Sequence, residues 1–316
     1  MSNSRAPQPW LSDRPGRRGR RTVGRLLALL FATAIVGATA IWTDVAGAGQ
    51  RWQSVLDRVD RFVAGPVPIR SSVPTVVVTP RPSVAVTLPP TLPPGATPGP
   101  TETPYPTPAR VAVDVNIDHD PEGVFAHELK NTWCSPAGVQ MVLTLHGHGA
   151  TSHAFQEELA ARVHEWESYD DSHNGAWGPA AMAEALAAYG VPGYVLRAYD
   201  TRADALRDAA AAIASTEAPA ILLAWKGAHT WVMTGYRADA DPRVFPDATV
   251  TGAYILDPWY PTISRIWGAS DPPGTFQDAA EMVRNYLPWK RPEGKYPDRD
   301  GRFIALLPTL PLDPMP

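Results

Sequence analysis

The fold class that this sequence predicts is α+β, and the order of its hydrophobic patterns is the main reason. Between residues 134 and 214, apolar side chains recur at the spacing of one helix face. From residue 220 onward, short apolar runs alternate with turn residues, which is typical of antiparallel strands. Helices that come first and strands that follow favour a domain in which N-terminal helices pack on an antiparallel sheet.

Four helices are expected, and the first is the most sharply defined. It begins at Cys134, has Pro136 in its first turn and ends before Gly147. Its apolar face consists of Ala137, Met141, Val142 and Leu145. The same spacing predicts further helices over residues 155–163, 179–189 and 204–214.

The strands are predicted from β-branched, leucine and aromatic runs between turn residues. Residues 220–225 and 229–236 flank a glycine-containing turn and predict a hairpin. A strand over 253–256 ends at Asp257-Pro258. Shorter strands are expected at 194–196 and 303–307.

The composition limits the function classes. The formal net charge is −4, so no large basic surface points to nucleic acid as a partner. Cys134 is the only cysteine, which excludes an internal disulfide. In an exported domain an unpaired thiol needs a reason, because oxidising compartments favour disulfides.

The N-terminal part of the chain predicts export. Residues 1–25 are rich in arginine and are expected to form a basic cytoplasmic tail. Residues 26–42 are an uncharged apolar run of about 17 residues, at the short end of a membrane span. We favour an uncleaved signal-anchor, while Ala46-Gly47-Ala48 leaves a signal peptide cleaved near Ala48 as the alternative. Either version places the rest of the chain outside the cytoplasm.

Two segments separate this run from the domain. Residues 43–65 have the pattern of a juxtamembrane amphipathic helix. Residues 66–109 are rich in proline and threonine, and we expect a disordered linker because such a composition cannot build a core. Residues 110–310 are expected to form one domain of about 200 residues, enough for a sizeable core.

Three residues offer the parts of a nucleophilic site. Cys134 stands at a helix N-terminus, where the helix dipole favours a thiolate. His229 begins a strand after a turn, and Asp257 ends a neighbouring strand. If the two strands pair, the imidazole and the carboxylate share one edge of the sheet, as a Cys-His-Asp arrangement requires.

Three sequence blocks resemble those of C39-like, papain-fold cysteine peptidases. They are residues 131–137, 227–236 and 255–259, within a similarity that spans roughly 115–260. The resemblance implies a papain-like fold, a Cys134, His229 and Asp257 triad, and peptide-bond hydrolysis through a thioester acyl-enzyme. It implies no cofactor and no metal.

The sequence departs from this family at two positions. Ser135 replaces the usual glycine after the nucleophile, which a helix N-terminus tolerates. Glu128 stands where relatives commonly carry a glutamine that stabilises the oxyanion, and a carboxylate repels that charge unless it is protonated. Asn131 and the backbone N–H of Cys134 are the alternative donors in this oxyanion region.

The sequence therefore predicts a membrane-anchored, extracytoplasmic thiol peptidase whose partner is a peptide or protein substrate. Trp133 and Trp177 are candidates for lining its substrate cleft, although most of the tryptophans are expected in the core. The competing hypothesis is a catalytically weak or inactive C39-like domain that binds peptide or cell-wall material on a membrane stalk. Acyl transfer to an amine instead of water is a third hypothesis.

Overall fold

The computed structural model describes residues 75–79, 108–166, 177–290 and 296–311. The predicted basic tail, apolar run and amphipathic helix lie outside these residues, as does most of the linker. The prediction of a disordered linker is wrong for its described part, because Val76 and Val77 form a strand that pairs with residues 197 and 198. In the part of the chain that is described, no helix has the length and apolar character needed to cross a membrane.

The four helices that the sequence predicts within the domain are confirmed. Ser152 and Thr201 each cap a helix by accepting a hydrogen bond from the backbone of its first turn. Two helices of the domain, at 121–124 and 279–285, have no counterpart in the sequence prediction. The helices are α1 (Pro121–Val124), α2 (Cys134–Leu145), α3 (His153–Ala161), α4 (Pro179–Ala188), α5 (Arg202–Thr216) and α6 (Ala279–Asn285).

The predicted strands also form, and further short ones join them. The hairpin of β4 and β5 and the pairing of β5 with β6 are both antiparallel, as expected. The strands are β1 (Val76–Val77), β2 (Val113–Asn116), β3 (Tyr194–Tyr199), β4 (Ala220–Ala224), β5 (His229–Ala238), β6 (Val250–Leu256), β7 (Ile263–Ser264), β8 (Gly268–Ala269), β9 (Thr275–Asp278) and β10 (Phe303–Pro308).

Eight of the described strands build one mixed sheet, in the order β1-β3-β10-β4-β5-β6-β9. The strand β2 pairs with the second half of β5, beyond the end of β4. All of these pairings are antiparallel except that of β1 with β3. The strand β5 therefore lies in the interior, and its residues from His229 to Tyr236 are all buried.

Helices cover both faces of the sheet. The sequence prediction placed helices against a sheet without saying that both of its faces are covered. Residues of α2, α3 and α4 form the core on one face. Residues of α5 and α6 form a second core on the opposite face. Alternate residues of the central strands point into one core or the other, which is the period-two pattern of a strand buried on both sides.

The packing of α2 on β5 brings the predicted site together. A Cβ atom on Gly138 would lie 2.6 Å from Cγ2 of Thr230. Only a glycine therefore allows the helix to approach the strand this closely. The approach places the first residue of α2, Cys134, against the first residue of β5, His229.

Candidate active site

Cys134 is the first residue of α2, and its side chain is 7% exposed. No side chain caps this helix end. The backbone N–H groups of the first turn have no partner inside the helix, so their positive ends favour a thiolate at this position.

The imidazole of His229 is fixed by Asp257. Its Nε2 lies 2.7 Å from Oδ1 of Asp257, and both side chains are buried. Because an ionised carboxylate only accepts, Nε2 carries the proton of this bond. The same oxygen accepts a second hydrogen bond from the backbone N–H of Trp259 at 2.9 Å, which holds the carboxylate at the end of β6.

The sulfur of Cys134 and a ring nitrogen of His229 lie within 4.8 Å of each other. With Nε2 bonded to Asp257, Nδ1 is the ring nitrogen left to interact with Cys134. Burial alone lowers the pKa of His229, but the charge and hydrogen bond of Asp257 and the bond to Cys134 outweigh it and raise the pKa to about 10. Burial raises the pKa of Cys134, yet His229 and hydrogen bonds from Thr230 bring it below its usual value. The pair thus favours a thiolate and an imidazolium.

Thr230 is a member of the site that sequence reasoning missed. It lies beside the sulfur of Cys134, where its polar groups help to lower the pKa of the thiol, and its hydroxyl donates to Sδ of Met182 at 3.8 Å. The hydroxyl also lies 3.2 Å from Oγ of Ser135, which in turn donates to the carbonyl oxygen of Trp177 at 3.0 Å. Ser135 in place of glycine is therefore accommodated by buried hydrogen bonds.

Glu128 points into the same space. Its carboxyl group and the reactive atoms of Cys134 and His229 all lie within 4.8 Å of one another. The side chain is 3% exposed, and within the described ranges neither carboxyl oxygen has a hydrogen-bond partner. Burial, together with the negative charges of Cys134 and Asp257, raises the pKa of Glu128 well above its usual value, and the positive charge of His229 opposes this only in part.

The backbone on both sides of Glu128 is held by buried amides. Gln156 of α3 donates to the carbonyl oxygen of His127 at 3.0 Å and accepts from the N–H of Leu129 at 2.8 Å. Its amide also donates to Gln140 of α2 at 2.8 Å. The N–H of Glu128 itself donates to the carbonyl oxygen of Pro258 at 2.9 Å, next to Asp257. This segment is therefore tied to α2, to α3 and to the residue that follows Asp257.

The other predicted site residues lie at different depths. Asn131 is exposed in the turn before α2, so its role as an oxyanion donor stays a prediction. Trp133 is half-buried, and Nζ of Lys130 lies 4.1 Å from its ring centroid. The structure places Trp177 in the core, 3% exposed and with its ring centroid 4.7 Å from that of Trp166. Of the two tryptophans, Trp133 is thus the one at the surface beside Cys134.

A thiol, an imidazole and a carboxylate in this relation are the arrangement that cysteine-dependent acyl hydrolases use. The chain belongs to the Peptidase_C39 like family, whose model matches residues 117–287. This confirms the family that the sequence blocks resemble, and membership of it supports a cysteine peptidase function.

Comparisons beyond the family are sparse. No curated protein matches the chain significantly. Among solved structures, the chain is similar to a double glycine motif protease from an AMS/PCAT transporter, determined in complex with the leader peptide. The two are 14% identical, the match covers 58% of this chain and 91% of that chain, and the TM-score is 0.30. The family assignment therefore rests on the family model.

The donor types at the site also bear on metal binding. Among the described residues, Glu128, Cys134 and His229 are the cluster of such side chains close enough to surround an ion. Cys134 and His229 already belong to the acid–base arrangement around the thiol. We assign no metal to the site.

Proposed function

We propose that this chain is a thiol peptidase of papain-like architecture that hydrolyses a peptide or amide bond through Cys134, His229 and Asp257. The observation that carries the proposal is the chain of contacts from Asp257 through the His229 ring to Cys134 at a helix N-terminus. Family membership supports the reaction class.

The roles follow from the geometry. The thiolate of Cys134 attacks the substrate carbonyl, a C–S bond forms, and the carbonyl π electrons move to the oxygen. When the intermediate collapses, the C–N bond breaks and the imidazolium of His229 gives its proton to the departing amine. In the second half, His229 takes a proton from water, the resulting hydroxide attacks the thioester, and the C–S bond breaks to restore the thiolate. Asp257 keeps the ring in one orientation and stabilises its positive charge throughout.

The reactivity of the thiol provides a direct test. Iodoacetamide should alkylate the native protein much faster than it alkylates a free thiol at neutral pH, and Cys134 is the only thiol in the chain. The variant His229→Ala should lose this enhancement, whereas His119→Ala, a change at an exposed histidine, should keep it. A native rate no faster than that of a free thiol contradicts the proposal.

Glu128 gives the competing function its support. If Glu128 ionises, its charge beside the sulfur would oppose an oxyanion and would favour a catalytically weak domain that binds peptide or cell-wall material. Incubating the full chain with a degenerate peptide library, followed by mass spectrometry of the free and bound peptides, separates the two functions. Cleavage that disappears in Cys134→Ala supports the peptidase, and binding without cleavage supports the binding module. Products carrying an added amine would indicate acyl transfer.

We also propose that the domain works outside the cytoplasm, either on a membrane anchor formed by residues 26–42 or secreted after cleavage near Ala48. The support is the arginine-rich segment before an apolar run and the proline-rich segment after it. Protease treatment of intact cells or spheroplasts tests the location, since an external domain is degraded while cytoplasmic markers survive. The mass of the mature chain then distinguishes the anchor from cleavage.

A further inference from the structure

The carboxyl group of Glu128 is the one feature of the site that the proposed mechanism leaves without a role. Within the described ranges both of its oxygens are buried and without a hydrogen-bond partner. A buried polar group in this state destabilises the fold unless a ligand supplies the missing hydrogen bond. The carboxyl group of Glu128 lies within 4.8 Å of the reactive atoms of Cys134 and His229.

The position of this carboxyl group is built into the fold. Gln156 brackets Glu128 by bonding to the residue before it and to the residue after it. Pro258 accepts from the N–H of Glu128 itself. These bonds hold the backbone of Glu128 in one place, which an active-site donor requires.

The surroundings decide the protonation state of the carboxyl group. The titratable groups that face it are Cys134 from α2, His229 from β5 and Asp257 from the end of β6. Two of these carry negative charge when the site is active, and one carries positive charge. Burial adds to the repulsion, so the neutral acid is the favoured form.

We propose that Glu128 is a catalytic residue, a neutral carboxylic acid whose O–H donates a hydrogen bond to the oxyanion formed on the substrate. The inference rests on the proposed function and adds a donor to it. Where relatives commonly use an amide N–H at this position, this chain would use a carboxylic O–H. The second donor is the backbone N–H of Cys134, which has no partner inside its helix.

The distances fit this role. An oxyanion is joined to the attacked carbon, which is joined to the sulfur, so it lies only two bonds from the sulfur of Cys134. A donor must come within about 2.7–3.1 Å of that oxygen. A carboxyl group within 4.8 Å of the sulfur has this reach. The proton stays on Glu128 during the attack, so the step needs no further acid or base.

Two small reagents separate this role from the reactivity of the thiol. Iodoacetamide reacts at a saturated carbon and forms no oxyanion, whereas p-nitrophenyl acetate acylates the thiol through one. The ratio of the acylation rate constant to the alkylation rate constant therefore measures oxyanion stabilisation. Both are measured on the full-length chain with a chelator present, and Cys134→Ala gives the background.

The variants have distinct expected results. Glu128→Met, which fills the space without a donor, should lower the ratio by about 10²- to 10³-fold. Glu128→Gln, which restores an N–H donor, should stay within about tenfold of the native ratio. The native ratio should also fall as pH rises and Glu128 loses its proton, whereas the ratio of Glu128→Gln should not. This pH series needs only the native protein and remains informative if a variant does not fold.

The outcomes that overturn the inference differ from those that overturn the proposed function. A native thiol no more reactive than a free thiol removes the peptidase proposal, and the role of Glu128 with it. A reactive thiol whose ratio is the same in Glu128→Met and constant with pH removes the role of Glu128 alone. A native ratio that rises with pH also overturns it, because the ionised form would then be the active one.

Discussion

The indole of Trp225 stacks on the imidazole of His229, with ring centroids 4.0 Å apart and planes 17° from parallel. Trp267 stacks on Trp225 in turn at 5.7 Å. The backbone of Trp225 has a φ of 52°, a strained conformation for a bulky residue, and its Nε1 donates to Asn285 at 3.1 Å. The fold thus holds this indole against the imidazole, where it covers one face of the ring and fixes its plane.

The first prediction concerns this stack. Trp225→Ala should lower the rate of acylation by p-nitrophenyl acetate by about 10- to 100-fold, because the imidazole gains freedom to move out of line with the sulfur. Trp225→Phe, which keeps an aromatic face but loses the bond to Asn285, should show a smaller loss. Trp166→Phe is the control, since Trp166 packs in the core without contact to His229. Native acylation in Trp225→Ala would contradict the proposed role.

The second prediction concerns the contact between α2 and β5. Gly138→Ala should destabilise the domain by about 1–3 kcal/mol, because the new methyl group overlaps Thr230. Without this overlap, alanine should stabilise the helix by about 1 kcal/mol relative to glycine. A loss of stability therefore indicates the overlap. The variant Thr230→Ser removes the blocking methyl group and keeps the hydroxyl. Chemical denaturation of the single and double variants should show that Gly138→Ala costs less in the Thr230→Ser background, and strictly additive effects would contradict the contact.

The third prediction concerns the charge of Asp257. That charge helps to raise the pKa of His229, so Asp257→Asn should make the imidazolium lose its proton at lower pH. An imidazole that is protonated over a narrower pH range stabilises the thiolate less, so the pKa of Cys134 should rise. The midpoint of iodoacetamide alkylation against pH should therefore move upward, by about one unit or roughly 1.4 kcal/mol. Asp114→Asn, at an exposed position of β2, should leave the midpoint in place.

The parts of the fold and site that the sequence predicts are those with local signals. The spacing from Ala137 to Leu145 defines α2, and the glycine-containing turn defines the β4–β5 hairpin. Since β5 and β6 pair as expected, His229 and Asp257 meet at one edge of the sheet. These relations depend on periods of 3.6 and 2 residues, which are visible without tertiary structure.

Other parts depend on tertiary packing and leave no local signal. An apolar stripe shows that α5 packs on something, but not on which face of the sheet. Gln156 looks like a surface residue of an amphipathic helix, although it is 1% exposed and clamps the Glu128 segment. Trp225 belongs to a predicted strand, yet it leaves that strand for a left-handed conformation. Trp177 is one of several tryptophans near the motifs, and only the folded chain shows that it is buried.

The fourth prediction tests the clamp. Gln156→Leu removes the bonds to His127 and Leu129 but keeps a side chain of similar size. If Gln156 positions Glu128, the variant should lower the ratio of acylation to alkylation by about tenfold. Its effect on the alkylation rate itself should be smaller. Gln277→Leu, at another buried glutamine outside the site, should lower stability without changing the ratio. A loss of stability with a native ratio in Gln156→Leu would show that the clamp supports the fold and not Glu128.

The fifth prediction is that Glu128 costs the protein stability. In the unfolded chain its carboxyl group ionises above its ordinary pKa of about 4.5, whereas burial and the charges of Cys134 and Asp257 keep the folded form protonated to higher pH. A raised folded pKa means that the stability of the native protein declines as pH rises above about 4.5 until the folded carboxyl group ionises. Glu128→Met should therefore unfold at a higher temperature than the native protein at pH 7, by several degrees for a gain of about 1–3 kcal/mol.

This stability gain should shrink toward pH 4, where Glu128 is protonated in both states. Thermal unfolding of the two proteins across this range measures the difference, and His119→Ala provides a control without a buried carboxyl group. A destabilised Glu128→Met protein at pH 7 would mean that the carboxyl group stabilises the fold, which contradicts its description as an unpartnered buried acid. A more stable but less reactive variant is the pattern expected of a side chain kept for chemistry at the expense of the fold.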